Sequence, residues 1–354
     1  MSLTDFRTLG RSGLVVSPAA LGTMTFGTKG WGSADDISQA VFNAYVDSGG
    51  NFVDTADVYS GGRSEELLGG MIAERSLRDR LVLATKFSFN AESGNPHAGG
   101  NGRKNIHRAL ESSLRRLRTD YVDLYWMHAY DLVTPVEEVL QSLGDLVRAG
   151  KIRYFGFSDL PAWYAVKAAT LAAAHGAPGP IALQLEYSLV ERSIEREHVP
   201  GARECGLGIM PWSPLAGGFL TGKYQRDGQG AAGQGRLSGS NPFSGPYTKF
   251  TERNWRVLDA LQAVAAEMER PPAQVALAWV AAQPGITSVL LGASTPGQLH
   301  DNLAALDLVL TPVHLAQLGQ ASALDVAFPY GILTLEGSRM IFGGAAVQGW
   351  PQQR

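Results

Sequence analysis

The feature that most constrains this 354-residue chain is a repeated alternation of short apolar runs with segments of helical periodicity. Runs at 18–22, 52–53, 81–85, 121–127, 152–157, 181–185, 207–212 and 287–291 read as eight strands. Between the first two, Ile37, Val41, Ala44 and Tyr45 share one helical face, behind a capping-box-like start at Ser33-Ala34-Asp35-Asp36 and ahead of a stop at Gly49-Gly50. Ile106, Leu110, Leu114 and Leu117 form a second such face. A further helix is expected from Thr134-Pro135-Val136-Glu137, with Thr134 as the cap, and Gly150 ends it. Alternation of this kind implies a parallel sheet; eight units suit a closed barrel, and pattern alone leaves an open doubly wound sheet as the alternative. Residues 6 to 16, around Gly10-Arg11-Ser12-Gly13, predict a hairpin ahead of the sheet. No linker divides the chain, so one domain over 1–354 is expected, with 225–247 as a mobile loop inside it.

Bulk properties exclude several classes. Apolar residues at 45% supply a large core, and a net charge of −3 gives no general attraction to nucleic acid or anionic membrane. A single cysteine, Cys205, excludes an internal disulfide and fits a reducing compartment. Met1 to Phe6 lacks the basic and then apolar regions of a secretory signal, and no run approaches the ~20 apolar residues of a membrane span. A cytoplasmic location is expected.

The chemistry gathers at strand ends. Asp54 closes the second strand, Tyr59 follows in the next loop, Lys86 closes the third strand, and His128 closes the fourth. Singly these are ordinary: a strand-end cap, a loop phenol, a core histidine. Together they form a proton-donating unit. A free tyrosine titrates near 10; a neighbouring ammonium is expected to lower that value, and an aspartate holds the lysine charged and in place. A histidine beside them can donate a second hydrogen bond to the atom that receives the proton, and no metal is needed. These four types, in this order on these elements, with the flanks Asn51-Phe52-Val53-Asp54-Thr55-Ala56-Asp57-Val58-Tyr59 and Gly61-Gly62-Arg63-Ser64-Glu65-Glu66-Leu67-Leu68-Gly69, resemble the aldo-keto reductases. The resemblance covers residues 5 to about 310 and implies a (β/α)8 barrel, or TIM barrel, with a C-terminal tail. Its site would lie at the C-terminal ends of the strands, and its reaction would be NADPH-dependent reduction of an aldehyde or ketone.

Two dinucleotide or nucleotide signals fail on context. Gly228-Gln229-Gly230-Ala231-Ala232-Gly233 has the G-x-G-x-x-G spacing without a strand before it or a helix after it. Gly217 to Lys223 fits G-x-x-x-x-G-K, but Tyr224 stands where a phosphate loop needs serine or threonine. The resemblance assigns this region differently. Trp212 would stack on the nicotinamide, Ser213, Leu215 and Gly217 would serve the pyrophosphate, and Lys223 and Arg236 would contact phosphate. Ser158, Asp159 and Gln184 would hold the carboxamide, and Gly292, Ser294, Gln298, Asp301 and Asn302 the adenosine end. Many relatives carry arginine or lysine there; Ser294 and Gln298 imply a modest preference for NADPH (NADP+) over NADH. Within the family the run resembles the potassium-channel β-subunit branch and its bacterial enzymatic relatives, so a cofactor-sensing binding subunit is the rival function. Trp31, Phe87 and Tyr130, together with Phe89, Phe219 and Tyr330, lie on or near loops of the catalytic face and suggest an apolar or aromatic-lined mouth for a small carbonyl substrate. The tail from Phe328 is expected to cover the site or to join a homo-oligomer contact.

Overall fold

The computed structural model describes residues 1–28, 32–226, 231–232, 236–237 and 249–347. Contacts divide the chain into two compact units, Met1–Ser322 and Ala323–Arg354, where the sequence pattern predicts one domain over 1–354. Among its described residues the second unit carries one short helix, Leu335–Ile341, capped by the Thr334 side chain, which accepts from Gly337 N.

Met1–Ser322 is a (β/α)8 barrel. Its strands are β1 (Ala19–Gly22), β2 (Phe52–Asp54), β3 (Val82–Phe87), β4 (Val122–Met127), β5 (Ile152–Ser158), β6 (Ala182–Glu186), β7 (Gly208–Trp212) and β8 (Val289–Gly292). Seven parallel pairings run in the order β8-β1-β2-β3-β4-β5-β6-β7. At the remaining seam Ile209 N donates to Gly285 O (3.2 Å) and Thr287 N donates to Ile209 O (2.8 Å), so an open sheet is ruled out.

Strand periodicity then sorts side chains into two cores, because successive residues of a strand face opposite sides. Ala20, Phe52, Val82, Ala84, Leu124, Trp126, Ala182 and Met210 fill the barrel. The hairpin, pairing Arg7–Thr8 with Val15–Val16, closes the bottom with Leu9, Leu14 and Val16. Gly156 makes room for Trp126: a Cβ there would lie 2.4 Å from the indole. Tyr125, Phe155, Phe157, Leu183 and Leu185 point the other way, into the larger core beneath the helices.

The helices of this unit are α1 (Asp35–Asp47), α2 (Arg63–Glu74), α3 (Arg103–Leu117), α4 (Val136–Arg148), α5 (Ala162–Ala174), α6 (His198–Cys205), α7 (Glu252–Glu267), α8 (Pro272–Ala281), α9 (Pro296–Leu303) and α10 (Pro312–Ala321). Two expected caps are used elsewhere. Ser33 Oγ donates to Ser294 O, tying α1 to the end of β8, and α1 starts behind Ala34 without a side-chain cap. Thr134 Oγ1 donates to Asp131 Oδ2, because Asp131 gathers the Val133 and Thr134 amides first. Among the described residues no helix is long and apolar enough to cross a membrane. Of the expected 225–247 loop, short strands Gln225–Arg226 and Ala231–Ala232 pair antiparallel; most of the rest, including Gly228–Gly230 and Gly233, lies outside the described residues.

Candidate active site

The barrel interior is apolar until its upper rim, where the same inward-facing positions become polar. Two residues beyond Phe52 comes Asp54; beyond Ala84, Lys86; beyond Trp126, His128; beyond Gly156, Ser158; beyond Ala182, Gln184; beyond Met210, Trp212. Inward alternation therefore stacks the expected site residues as one layer on top of the core.

Tyr59 reaches this layer by a loop that first runs along β3, with Thr55 N donating to Ala84 O and Asp57 N to Lys86 O. The chain then turns through three left-handed residues, Ser60 (φ 51°), Gly61 (φ 63°) and Gly62 (φ 94°). Gly62 is required twice over, since a Cβ would also approach Arg116 Cδ to 2.9 Å. Ser60 Oγ donates to Phe26 O (2.9 Å) and fixes the turn.

Lys86 is fully buried and spends its ammonium on three acceptors: Asp54 Oδ2, Thr55 O (2.8 Å) and the Tyr59 hydroxyl (3.2 Å). An ammonium has no acceptor site, so the Tyr59 oxygen accepts and its own hydrogen remains available to point elsewhere. Gln184 Nε2 donates to the second Asp54 oxygen at 3.1 Å. Burial would discharge Lys86, but the Asp54 carboxylate and Tyr59 outweigh it and raise its pKa. Burial also raises Asp54 and Tyr59, against the pull of the Lys86 charge on each. The expected lowering of the Tyr59 value is thus corrected: the net direction is upward, because removal from water exceeds the ammonium's effect. Tyr59 stays a phenol at neutral pH.

His128 is held by its backbone, whose N–H meets Phe87 O (2.9 Å) and Ser88 Oγ (3.0 Å). Its ring stands edge-on to Tyr59 with centroids 5.8 Å apart, and Nδ1 is buried without a hydrogen-bond partner among the described residues. Burial first, and then the Lys86 charge, hold the imidazole well below its ordinary pKa, hence neutral. Phe89, 48% exposed, packs edge-on against the same ring at 4.7 Å.

The remaining expected positions lie around this layer. Ser158 Oγ is buried with no hydrogen-bond partner among the described residues. Trp212 Nε1 donates to Asp159 Oδ1 (2.9 Å), and Ser213 Oγ accepts from Gly217 N (3.0 Å). Leu215 is half-buried. Lys223 lies beside Gly218, and Arg236 approaches Met24 Sδ. At the top of β8, a Cβ on Gly292 would meet nothing within 4 Å. Ser294 N and Oγ both donate to Gln298 Oε1 (2.9 and 2.8 Å), Asn302 Nδ2 donates to Gly292 O (3.3 Å), and Asp301 is exposed on α9.

The substrate expectations fare less evenly. Phe87 is completely buried against Tyr125 beneath the helices, because Lys86 faces inward and its neighbour must face out. Phe219 is buried against Trp255. Tyr130 packs with Trp163 and Tyr164. Trp31 lies outside the described residues.

One cluster behind the site goes beyond the expected set. Glu65 of α2 is fully buried, accepting from Thr85 Oγ1 (2.5 Å) and Arg116 Nε (2.6 Å). Beside it Asp57 is 5% exposed, with Oδ1 unpartnered. Burial first, then the Glu65 charge, push the Asp57 carboxyl up to about 7, against Arg116 and Arg108. Its folded pKa exceeds the unfolded value near 4, so its contribution is fully present below pH ~4 and is lost as pH rises through about 7. Asp57→Asn removes that loss. The variant should gain up to about 4 kcal/mol over the parent at pH 8 and little at pH 4.5, from three units at ~1.36 kcal/mol each. Urea melts at the two pH values measure this, and an equal shift at both would refute it.

The family model described as "Aldo/keto reductase family" matches residues 19–323. An aryl-alcohol dehydrogenase of Pestalotiopsis microspora is 32% identical over 91% of this chain and 83% of its own length. An aryl-alcohol dehydrogenase [NADP(+)] of Phanerodontia chrysosporium is 33% identical, over 90% and 86%. A probable voltage-gated potassium channel subunit beta of Oryza sativa is 35% identical, over 87% and 93%.

Proposed function

The chain belongs to the aldo/keto reductase family, and on that premise we propose that it reduces aldehyde or ketone carbonyls to alcohols with NADPH, Tyr59 delivering the proton. The observation that carries this reading is the buried Asp54–Lys86–Tyr59 chain beside a neutral His128. Lys86 occupies the Tyr59 oxygen as a donor, which leaves the phenol hydrogen for a carbonyl oxygen. Neutral His128 can donate a second hydrogen bond to that oxygen. As the proton leaves, Lys86 stabilises the phenolate, and Asp54 keeps Lys86 charged.

A bound nicotinamide dinucleotide would supply the hydride. The residues suit it: Ser158 Oγ is a buried hydroxyl lacking a partner, as a carboxamide subsite would require. Ser158, Asp159 and Gln184 would hold that end and Trp212 would lie against the ring. Ser213, Leu215 and Gly217 would serve the diphosphate, and Lys223 and Arg236 would contact phosphate. Gly292, Ser294, Gln298, Asp301 and Asn302 would serve the adenosine end.

Aromatic aldehydes are the substrate class we favour. Two relatives are named for aryl alcohols, and Phe89 offers a half-exposed ring against His128. A rate survey with NADPH over aromatic, aliphatic and sugar-derived carbonyls tests this; faster turnover of the sugar-derived set would reject the aromatic preference. Tight NADPH binding with no turnover across the panel would favour instead a cofactor-sensing subunit, the reading raised by the channel-subunit relative.

NADPH is expected to bind more tightly than NADH, by a modest factor, because Arg236, Ser294 and Gln298 can hydrogen-bond a 2′-phosphate. Ser294→Asp should shrink the preference by placing a like charge there. Tryptophan-fluorescence titration of both dinucleotides is the check, and NADH binding as tightly as NADPH to the parent would defeat the expectation.

A further inference from the structure

The carboxyl of Asp159 is placed to act on the charge of whatever lies against Trp212. Asp159 follows directly on β5 in a left-handed conformation (φ 46°), and its own carbonyl accepts from Tyr130 N (3.1 Å). Its Oδ1 is fixed by the Trp212 indole at 2.9 Å. The residue is exposed, yet its surroundings withdraw enough water to push the carboxyl up to about 6, with Glu186 adding to the rise. The indole hydrogen bond and the Lys86 charge pull it back.

The neighbouring charges are largely balanced against one another. Lys86 is neutralised by Asp54. Glu186, in register with Trp212 across β6 and β7, is paired with Lys249 at 2.7 Å and also feels Arg236. Among the described residues no cation is paired with Asp159: its anchored contact is with a neutral indole. At neutral pH it therefore places a negative charge beside the aromatic platform at the rim.

We propose that Asp159 discriminates between the two oxidation states of the bound dinucleotide, its indole-anchored carboxylate favouring the cationic ring of NADP+ over the neutral ring of NADPH. This rests on the reading of Trp212 as the surface against which that ring lies. In the reduction, hydride goes to the carbonyl carbon and the Tyr59 proton to its oxygen. The product is an alcohol, the ring is left with one positive charge, and the Tyr59 phenolate regains its proton from water. A fixed negative charge beside the ring stabilises the oxidised side of that balance. It biases the equilibrium on the protein toward alcohol formation.

The sign with pH follows. Ionisation of Asp159 is progressively complete above about 6, so the ratio Kd(NADPH)/Kd(NADP+) should rise between pH 5.5 and pH 8. A charge–charge contact at this kind of rim supports a change of about tenfold over that interval. The 2′-phosphate also titrates in this range, but it is common to both forms and cancels in the ratio. Asp159→Asn keeps an oxygen for the Trp212 N–H and removes the charge, so its ratio should be lower at pH 8 and flat with pH.

The experiment is calorimetric titration of the full chain with NADP+ and, separately, NADPH at the two pH values, for the parent and Asp159→Asn. The parent's own pH dependence reads out the idea even where the variant folds poorly. A parent ratio that does not change, or an Asn variant that keeps the parent's full pH dependence, overturns the role of Asp159 while leaving the proposed reductase standing. Failure of the parent to bind either form overturns both.

Discussion

Replacing Tyr59 by phenylalanine is expected to lower carbonyl reduction by about 10²- to 10⁴-fold, the range typical of a lost general acid. The substitution removes one oxygen and keeps the ring, so the edge-on contact with His128 survives. Lys86 loses one of its three acceptors but keeps Asp54 and Thr55 O, and the buried ion pair therefore stays compensated. Dinucleotide affinity should change little, because the groups proposed for the phosphates lie on other loops. Steady-state reduction of an aromatic aldehyde, run beside a direct NADPH titration, separates the two effects. Parental turnover by the phenylalanine variant would remove Tyr59 from the role of acid. A large loss of NADPH affinity would instead mean that the hydroxyl organises the cofactor pocket.

Much of this arrangement was legible because a barrel strand obeys a period of two. Once Ala84 and Trp126 are recognised as interior, Lys86 and His128 must be interior as well, one step higher. The same rule applied to Phe87 excludes it from the mouth: a residue next to Lys86 on a strand faces the helices. Phe89 is two further on, past the strand end, and no periodicity specifies where a loop residue points. Caps were less legible than strands. Ser33 and Thr134 each had the right chemistry, but hydroxyls are promiscuous, and they donate instead to the Ser294 carbonyl and the Asp131 carboxylate. The direction of the Tyr59 shift needed a quantity absent from the sequence, the extent of dehydration at the rim. Asp57, Glu65 and Arg116 come together from the loop after β2, α2 and α3, so only the packed structure could bring them to attention.

Lys86→Met should damage both stability and turnover, and the pH dependence of the stability loss identifies the cause. Methionine fills the space with a flexible apolar chain, so packing is largely kept. What is lost is the cation: Asp54 remains fully buried, with the neutral Gln184 amide still donating to Oδ1. Removing one partner of a buried ion pair typically costs about 3–5 kcal/mol, because the other charge is stranded. Burial already raises the Asp54 pKa against the pull of Lys86, and without Lys86 that opposition disappears. A carboxyl whose folded pKa lies above its unfolded value favours folding at low pH, and that support is lost as pH rises through the folded value. The variant should accordingly lie close to the parent at pH 4.5 and well below it at pH 8, as urea melts would show. Adding Asp54→Asn to Lys86→Met should restore much of the stability at pH 8, since the amide needs no cation. It should restore none of the turnover, because the Tyr59 phenolate still lacks its ammonium. A single variant as stable as the parent at pH 8 would show that Asp54 is not held as an anion by Lys86.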